Sequence, residues 1–178
     1  MKKLLKRAGY GLLGLFVILL GISFLLPSEQ RIESSVKINA PIQIVFDQVN
    51  DLRNWDRWSP WKKMDPMIEM SYSNPPTGKG AFYVWKSKHE RVGNGKLILS
   101  EVIPNKKIVT ALDFEKGQDG SAEFTFEEEK KAVKVTWSMM YHIGGNPVRK
   151  YALLFQKGAM RKAFEQGLNG IRENSEKR

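Results

Sequence analysis

The chain has 178 residues, 29 of them Lys or Arg and 19 Asp or Glu, giving a formal net charge of +10, with no cysteine and only two histidines. These counts exclude thiol nucleophiles, disulfide staples and histidine-rich metal centres. Four of the basic residues, Lys2, Lys3, Lys6 and Arg7, crowd the N-terminal flank, so the rest of the chain carries a moderate excess of 25 basic over 19 acidic side chains.

That excess reads as a solvated basic surface, with attraction to anionic lipid headgroups as the alternative. Nucleic acid is a poor partner, because no basic-aromatic motif of a known reader occurs.

The first element in chain order is apolar. Segment 8–26 reads AGYGLLGLFVILLGISFLL, uncharged and close to the ~20 residues that a helix needs to cross a bilayer core. A secretory signal peptide is the rival, but its apolar core usually runs about 7 to 15 residues and ends at a small-residue cleavage site. Here the exit is Ser23-Phe24-Leu25-Leu26-Pro27-Ser28-Glu29, with no Ala-x-Ala pattern and no lipidation cysteine. The expectation is an uncleaved anchor over 1–26, with cleavage or burial as a core helix as alternatives. The cationic flank predicts a cytoplasmic N-terminus, with the following domain on the periplasmic or extracellular side. The absence of cysteine fits an oxidising compartment.

The 152 residues of 27–178 are enough for one domain that buries roughly 70% of its unfolded surface. Within it, 31–38 alternates as a strand, with Ile32, Val36 and Ile38 on one face. Asn39-Ala40-Pro41 then opens a short helix whose apolar positions are Ile42, Val45, Phe46 and Val49. After Asn50-Asp51, Trp55 and Trp58 share a face if a second short helix forms before Pro60 stops it.

Six strand-like runs follow, at 67–73, 81–87, 96–102, 106–114, 121–126 and 131–141. They are separated by turn chemistry at 74–78, 93–95, 104–105, 117–120 and 128–130, the spacing of an antiparallel meander. The glycine pairs Gly78-x-Gly80 and Gly93-x-Gly95 precede strands and lack the GKS/GKT ending of a phosphate loop, so they read as hairpin turns. Asn146 and Pro147 open a helix to about Asn174 with a Met160, Phe164, Leu168, Ile171 stripe. Upstream of Gly158 the apolar residues Tyr151, Leu153, Leu154 and Phe155 point several ways, which suggests cover on two sides or a bend at the glycine.

This order, an α+β arrangement of strand, two short helices, six strands and a long C-terminal helix, resembles the helix-grip fold of the START/Bet v 1-like (SRPBCC) superfamily. The runs Val36-Lys37-Ile38-Asn39-Ala40-Pro41, Val45-Phe46 and Asn50-Asp51-Leu52 with Trp55, Trp58, Ser59, Pro60 and Trp61 are similar to bacterial members of the polyketide cyclase/dehydrase and lipid transport group. Gly78-Lys79-Gly80-Ala81 with Trp85, Gly93-Asn94-Gly95 and Val135-Thr136-Trp137 continue the likeness. The resemblance implies a curved antiparallel sheet of about seven strands wrapped around the last helix, preceded here by one transmembrane helix. It also implies an internal cavity, in a group that includes lipid and sterol carriers, quinone-binding proteins, cyclases and chaperone activators. Fold membership selects none of these activities.

The inward candidates are Tyr72, Tyr83, Trp85, Leu99, Leu112, Phe124, Phe126, Trp137 and Met139 on the sheet and Met160 and Phe164 on the helix. Core packing and ligand contact both demand such side chains. Trp58 and Trp61 join them as entrance candidates; Trp55 and Trp58 as seals, and Trp61 beside Lys62 and Lys63 at a lipid interface, are the other readings. Asp113, Glu101 and the tyrosines are the available acids and bases, while His89 and His142 both look exposed. No metal or cofactor is expected.

The functional expectation is a membrane-tethered binding domain for a hydrophobic small molecule such as a lipid, isoprenoid or quinone. A protein-binding or chaperone-like envelope module, and a cyclase- or isomerase-type enzyme using acid and base groups in the cavity, are the alternatives.

Overall fold

The computed structural model describes residues 2–115, 120–142 and 144–177. The apolar N-terminal segment forms α1 (Lys2–Leu25), in which the side chains of 9–25 other than Ser23 are exposed, Phe24 78% and Leu25 85%, with Ser23 turned inward. Among the described residues no helix is long and apolar enough to cross a membrane. The transmembrane helix expected over 8–26 is therefore not part of the fold as described.

Strand β1 (Glu29–Ile38) follows almost at once and turns Ile32, Ser34 and Ile38 inward. Pro41 starts α2 (Ile42–Asn50), its carbonyl accepting from the Ile44 and Val45 amides, and the helix buries Val45, Phe46, Gln48 and Val49. The Asp51 carboxylate accepts from the Arg53 amide and guanidinium, which holds its pKa below the usual range and fixes a 3-10 turn at Leu52–Asn54.

Next come α3 (Trp55–Trp58) and α4 (Pro60–Met64), where one short helix was expected. Pro60 does end α3, because the residue before a proline is driven to extended backbone and Ser59 has ψ 126°. It then serves as the first residue of α4, where its missing N–H costs nothing.

The six further strands are β2 (Glu69–Tyr72), β3 (Phe82–Lys86), β4 (Gly95–Ile103), β5 (Lys107–Phe114), β6 (Gly120–Glu129) and β7 (Ala132–His142). With β1 they make one antiparallel seven-stranded sheet in the order β1-β7-β6-β5-β4-β3-β2. The strand expected over 67–73 shortens at both ends. Of the turn expected at 117–120, only Gly120 falls among the described residues.

The last helix, α5 (Pro147–Glu176), runs unbroken through Gly158 and lays Phe164, Leu168 and Ile171 on the sheet. Two glycines let it sit that close. A Cβ on Gly167 would stand 2.7 Å from the Trp137 ring, and one on Gly170 2.8 Å from Trp58 Cβ. Its ends mark two poles of the domain: the Glu176 carboxylate accepts from the Asn39 amide at the far end of β1, while Lys150 reaches the last turn of α1.

Candidate functional site

Strand register sorts the inward side chains into rungs across the concave face. Nearest the Asn39 pole Ile38 faces Val133, then come Val36, Val135 and Phe126, then Ser34, Trp137, Phe124 and Ile108. Toward α1 the next rung is Ile32, Met139, Ala122, Thr110 and Leu99, and beyond it Gly120, Leu112, Leu97, Tyr83 and Tyr72.

The middle of this face is filled by rings. Trp137 stacks between Phe124 at 4.7 Å and Phe164 of α5 at 4.3 Å, and meets Trp58 edge-on at 5.8 Å. Trp55 lies 4.5 Å from Trp58 and 5.9 Å from both Tyr83 and Phe124. The indole N–H of Trp55 donates to the Val49 carbonyl and that of Trp58 to the Gln48 carbonyl, each at 2.9 Å, so both tryptophans clamp α3 to the end of α2. Trp55 and Trp58 are 1% and 0% exposed. The structure thus puts Trp58 in the core, not at an entrance.

Of the remaining candidates, Tyr83, Trp85, Leu99, Phe124, Phe126, Trp137 and Phe164 are buried. Trp61, Tyr72, Leu112, Met139 and Met160 are only partly covered, and Phe114 and Tyr141, which sequence reasoning did not single out, share that state. Strand register places Leu112, Met139 and Tyr141 on the rungs toward the α1 pole. Trp61 packs edge-on against Trp137 at 5.6 Å, and Phe114 against Trp85 at 5.6 Å. A Cβ on Gly120 would meet Met139 Cε at 3.1 Å and Leu112 Cδ1 at 3.8 Å, so the glycine lets these two side chains close over the strand end.

These partly covered apolar side chains form the rim, or mouth, of the concave face beside the ring stack. Burial pushes the Tyr141 phenol up to about 12, and burial also raises Tyr83. The Tyr72 hydroxyl donates to Asp56 at 2.6 Å, joining the sheet edge to α3, and its pKa is raised first by burial and then by that bond.

Three polar atoms on the β1 and β7 side have no partner: Gln30 Oε1, Ser34 Oγ and the Trp137 indole N–H. Each is a buried polar atom without a hydrogen-bond partner among the described residues.

Two depressions are resolved elsewhere. One of about 320 Å³ lies at the Asn39 pole, between the start of α2 and the β6–β7 turn. The other, of about 290 Å³, is on the convex face beside Val84, Lys96 and Asp113. Neither enters the concave interior, whose centre the rings occupy.

The acid and base candidates do not enter it either. Asp113 is exposed on the convex face, and Glu101 pairs with Lys107 at 2.9 Å on that same side. Inward positions on β5 are even-numbered, and a period of two sends residue 113 outward. No carboxylate is buried among the described residues, and no group of acidic or histidine side chains there could hold a metal. His89 is exposed and its Nδ1 accepts from the Arg91 amide. The His142 side chain lies outside the described residues.

A curved antiparallel sheet closed by a long C-terminal helix, with an apolar mouth between them, defines the START/Bet v 1-like class. The sequence matches the profile of the family described as Polyketide cyclase / dehydrase and lipid transport over residues 29–176, and the chain belongs to that family.

Solved structures agree in fold. The di-domain ARO/CYC StfQ from the steffimycin biosynthetic pathway matches with TM-score 0.64 and 9% identity over 84% of this chain and 51% of its own. DynU16, from the dynemicin biosynthetic locus, matches with TM-score 0.57 and 13% identity over 80% of this chain and 46% of its own. The chain therefore spans about half the length of each of these two. The Aha1 dimer from Colwellia psychrerythraea matches with TM-score 0.57 and 12% identity over 83% of this chain and 96% of its own. No curated protein matches the sequence.

Proposed function

We propose that the chain is a membrane-tethered domain that binds a hydrophobic small molecule, of lipid, isoprenoid or quinone type, at the mouth of the concave face. The observation that carries this reading is the set of partly covered apolar side chains there, Trp61, Leu112, Phe114, Met139, Tyr141 and Met160. Large apolar side chains left partly exposed around a concave floor forfeit stabilisation that a ligand restores, at roughly 25 cal/mol per Å².

Two of the six are methionines, whose unbranched thioether chains change rotamer at little cost, so the mouth can widen without moving the ring stack. The unpaired indole N–H of Trp137 offers a donor to a carbonyl or hydroxyl oxygen on the ligand. The family's name, which includes lipid transport, supports the ligand class.

The tether rests on α1. In the sequence, the uncharged run 8–26 lies within the roughly 17 to 25 residues that span a bilayer, and the cationic residues before it favour a cytoplasmic N-terminus with the domain on the periplasmic or extracellular side. A tethered mouth exchanges an apolar ligand with the bilayer without a long passage through water.

The test is organic extraction and mass spectrometry of the full chain purified from membranes, beside titration with fluorescent lipid and quinone probes. A recurring apolar compound, displaced by the probe, is expected. Protein that is repeatedly empty and ignores every probe overturns the reading. An acid–base enzyme is disfavoured by the outward position of Asp113 and Glu101.

A further inference from the structure

The contact between α1 and α5 fixes which way the mouth points. Lys150 is buried, 8% exposed, and its ammonium donates to the Ser23 carbonyl at 2.9 Å and the Leu26 carbonyl at 2.7 Å. Carbonyls at a helix C-terminus lack intrahelical donors and carry partial negative charge, so a lysine ammonium is a strong cap there. One residue on, the Tyr151 hydroxyl donates to the Leu19 carbonyl at 2.7 Å, and the Gly144 amide donates to Ser28 at 3.3 Å. The first turns of α5 are thereby bolted alongside the last two turns of α1.

From Leu25 to Glu29 is four residues, a reach of at most about 14 Å. Glu29 pairs with His142 and Gln30 with Tyr141, so the mouth edge of the sheet stands that close to the end of α1.

The neighbouring stretch of α5 has an unusual composition. Residues 147–162 read PVRKYALLFQKGAMRK, with five basic residues and no acidic one. Val148 is 75% exposed and Leu154 44% exposed. Apolar side chains left in solvent on a basic helix segment, next to the end of an apolar helix, match the chemistry of an anionic headgroup layer.

We propose that the N-terminal half of α5 lies in the headgroup layer of the bilayer that α1 enters. The Lys150 clamp then holds the apolar mouth against the membrane surface, where ligand passes between acyl chains and the concave face directly. This rests on the tether proposed above and adds an orientation to it.

The absence of native cysteine allows a direct test on the full chain in vesicles of phosphatidylcholine and phosphatidylglycerol. Single cysteines replace Val148, Leu154 or, at the opposite pole, Lys131, and each carries an environment-sensitive fluorophore. The expected result is blue-shifted emission at 148 and 154, with most of it lost to a nitroxide-bearing lipid, and water-like, unquenched emission at 131. Alkaline carbonate washing of the same vesicles reports the tether separately.

Chain that washes off overturns the tether. Chain that stays while labels at 148 and 154 remain water-like overturns the orientation alone. Lys150→Met should keep the chain in the membrane and reduce quenching at 154; unchanged quenching overturns the clamp.

Discussion

The two poles of the concave face use the same kinds of side chain and differ in what covers them. From the middle of the face toward the Asn39 pole the C-terminal half of α5 presses glycines onto tryptophans, and Ile38, Val135 and Ile171 are fully buried. At the α1 pole the same helix leans on α1, and Leu112, Met139, Tyr141 and Met160 stay partly open. One helix thus serves as core on one side of Gly158 and as a bracket on the other. The difference teaches that composition alone does not separate core from binding surface in this fold; the neighbour that each half of the helix finds does.

The comparison breaks most readily at its packed side. Phe124→Ala removes a fully buried ring that touches Trp55, Trp58 and Trp137, and should lower unfolding free energy by about 3–5 kcal/mol in urea titration. A cost under about 1 kcal/mol would mean the ring stack is loose and the two poles are alike.

Glycine substitutions sharpen the same contrast within α5. Alanine ordinarily stabilises a helix interior over glycine by about 1 kcal/mol. At Gly170 the new Cβ would meet Trp58 at 2.8 Å, so Gly170→Ala should instead destabilise by about 1–3 kcal/mol. At Gly158 nothing lies within 4 Å, and Gly158→Ala should stabilise by roughly 0.5–1 kcal/mol. Thermal unfolding of the pair side by side reads the sign at each position, and equal signs would refute the two-sided account of the helix.

At the mouth the expected effect moves from stability to binding. Met160→Asp places a charge where the side chain is already half-wet, so the change in unfolding free energy should stay near 1 kcal/mol or below. Uptake of an apolar probe should fall steeply, because a charge beside the ligand must be desolvated. Trp137→Phe keeps the stack and deletes the free donor; about 1 kcal/mol of probe affinity, several-fold, should go with it for probes bearing a carbonyl. Binding that is indifferent to both variants would place the ligand elsewhere.

Much of this architecture was legible in the residues. Alternation in 131–141 and 121–126 marks the buried face of β7 and β6, and the Met160, Phe164, Leu168, Ile171 stripe gives the sheet-facing side of α5. The helical start at Pro60 was harder, because a proline that stops one helix can open the next, and only backbone geometry at Ser59 decides.

At the site, residue type and parity placed Trp137, Met139 and Leu112 on the concave face. They could not say which are covered, since cover comes from α3 and α5, distant in sequence. Asp113 was a candidate only if it projected inward, and its odd number beside inward Leu112 already carried the signal that it faces outward. The Lys150 clamp left no local trace: a lysine in a basic helix reads as solvated until its partner carbonyls, more than a hundred residues away, are in place.

The smallest expected effect separates the poles by titration. Tyr141, at the mouth, has its pKa raised to about 12 by burial, against about 10 in the unfolded chain. A folded-state value above the unfolded one means the neutral phenol is the form the fold favours. Its contribution is fully present below about pH 10 and is lost as pH rises toward 12. Tyr83, deeper in the face, is raised by burial in the same sense and adds to the same loss.

Stability should therefore hold flat through neutral pH and, on the alkaline side, fall above about pH 10. Tyr141→Phe should blunt part of that fall while leaving stability at pH 7 little changed. A bound apolar ligand that covers the mouth should push the Tyr141 ultraviolet titration higher still and leave Tyr83, already enclosed, unmoved. If ligand shifts neither tyrosine, the mouth is not where it sits.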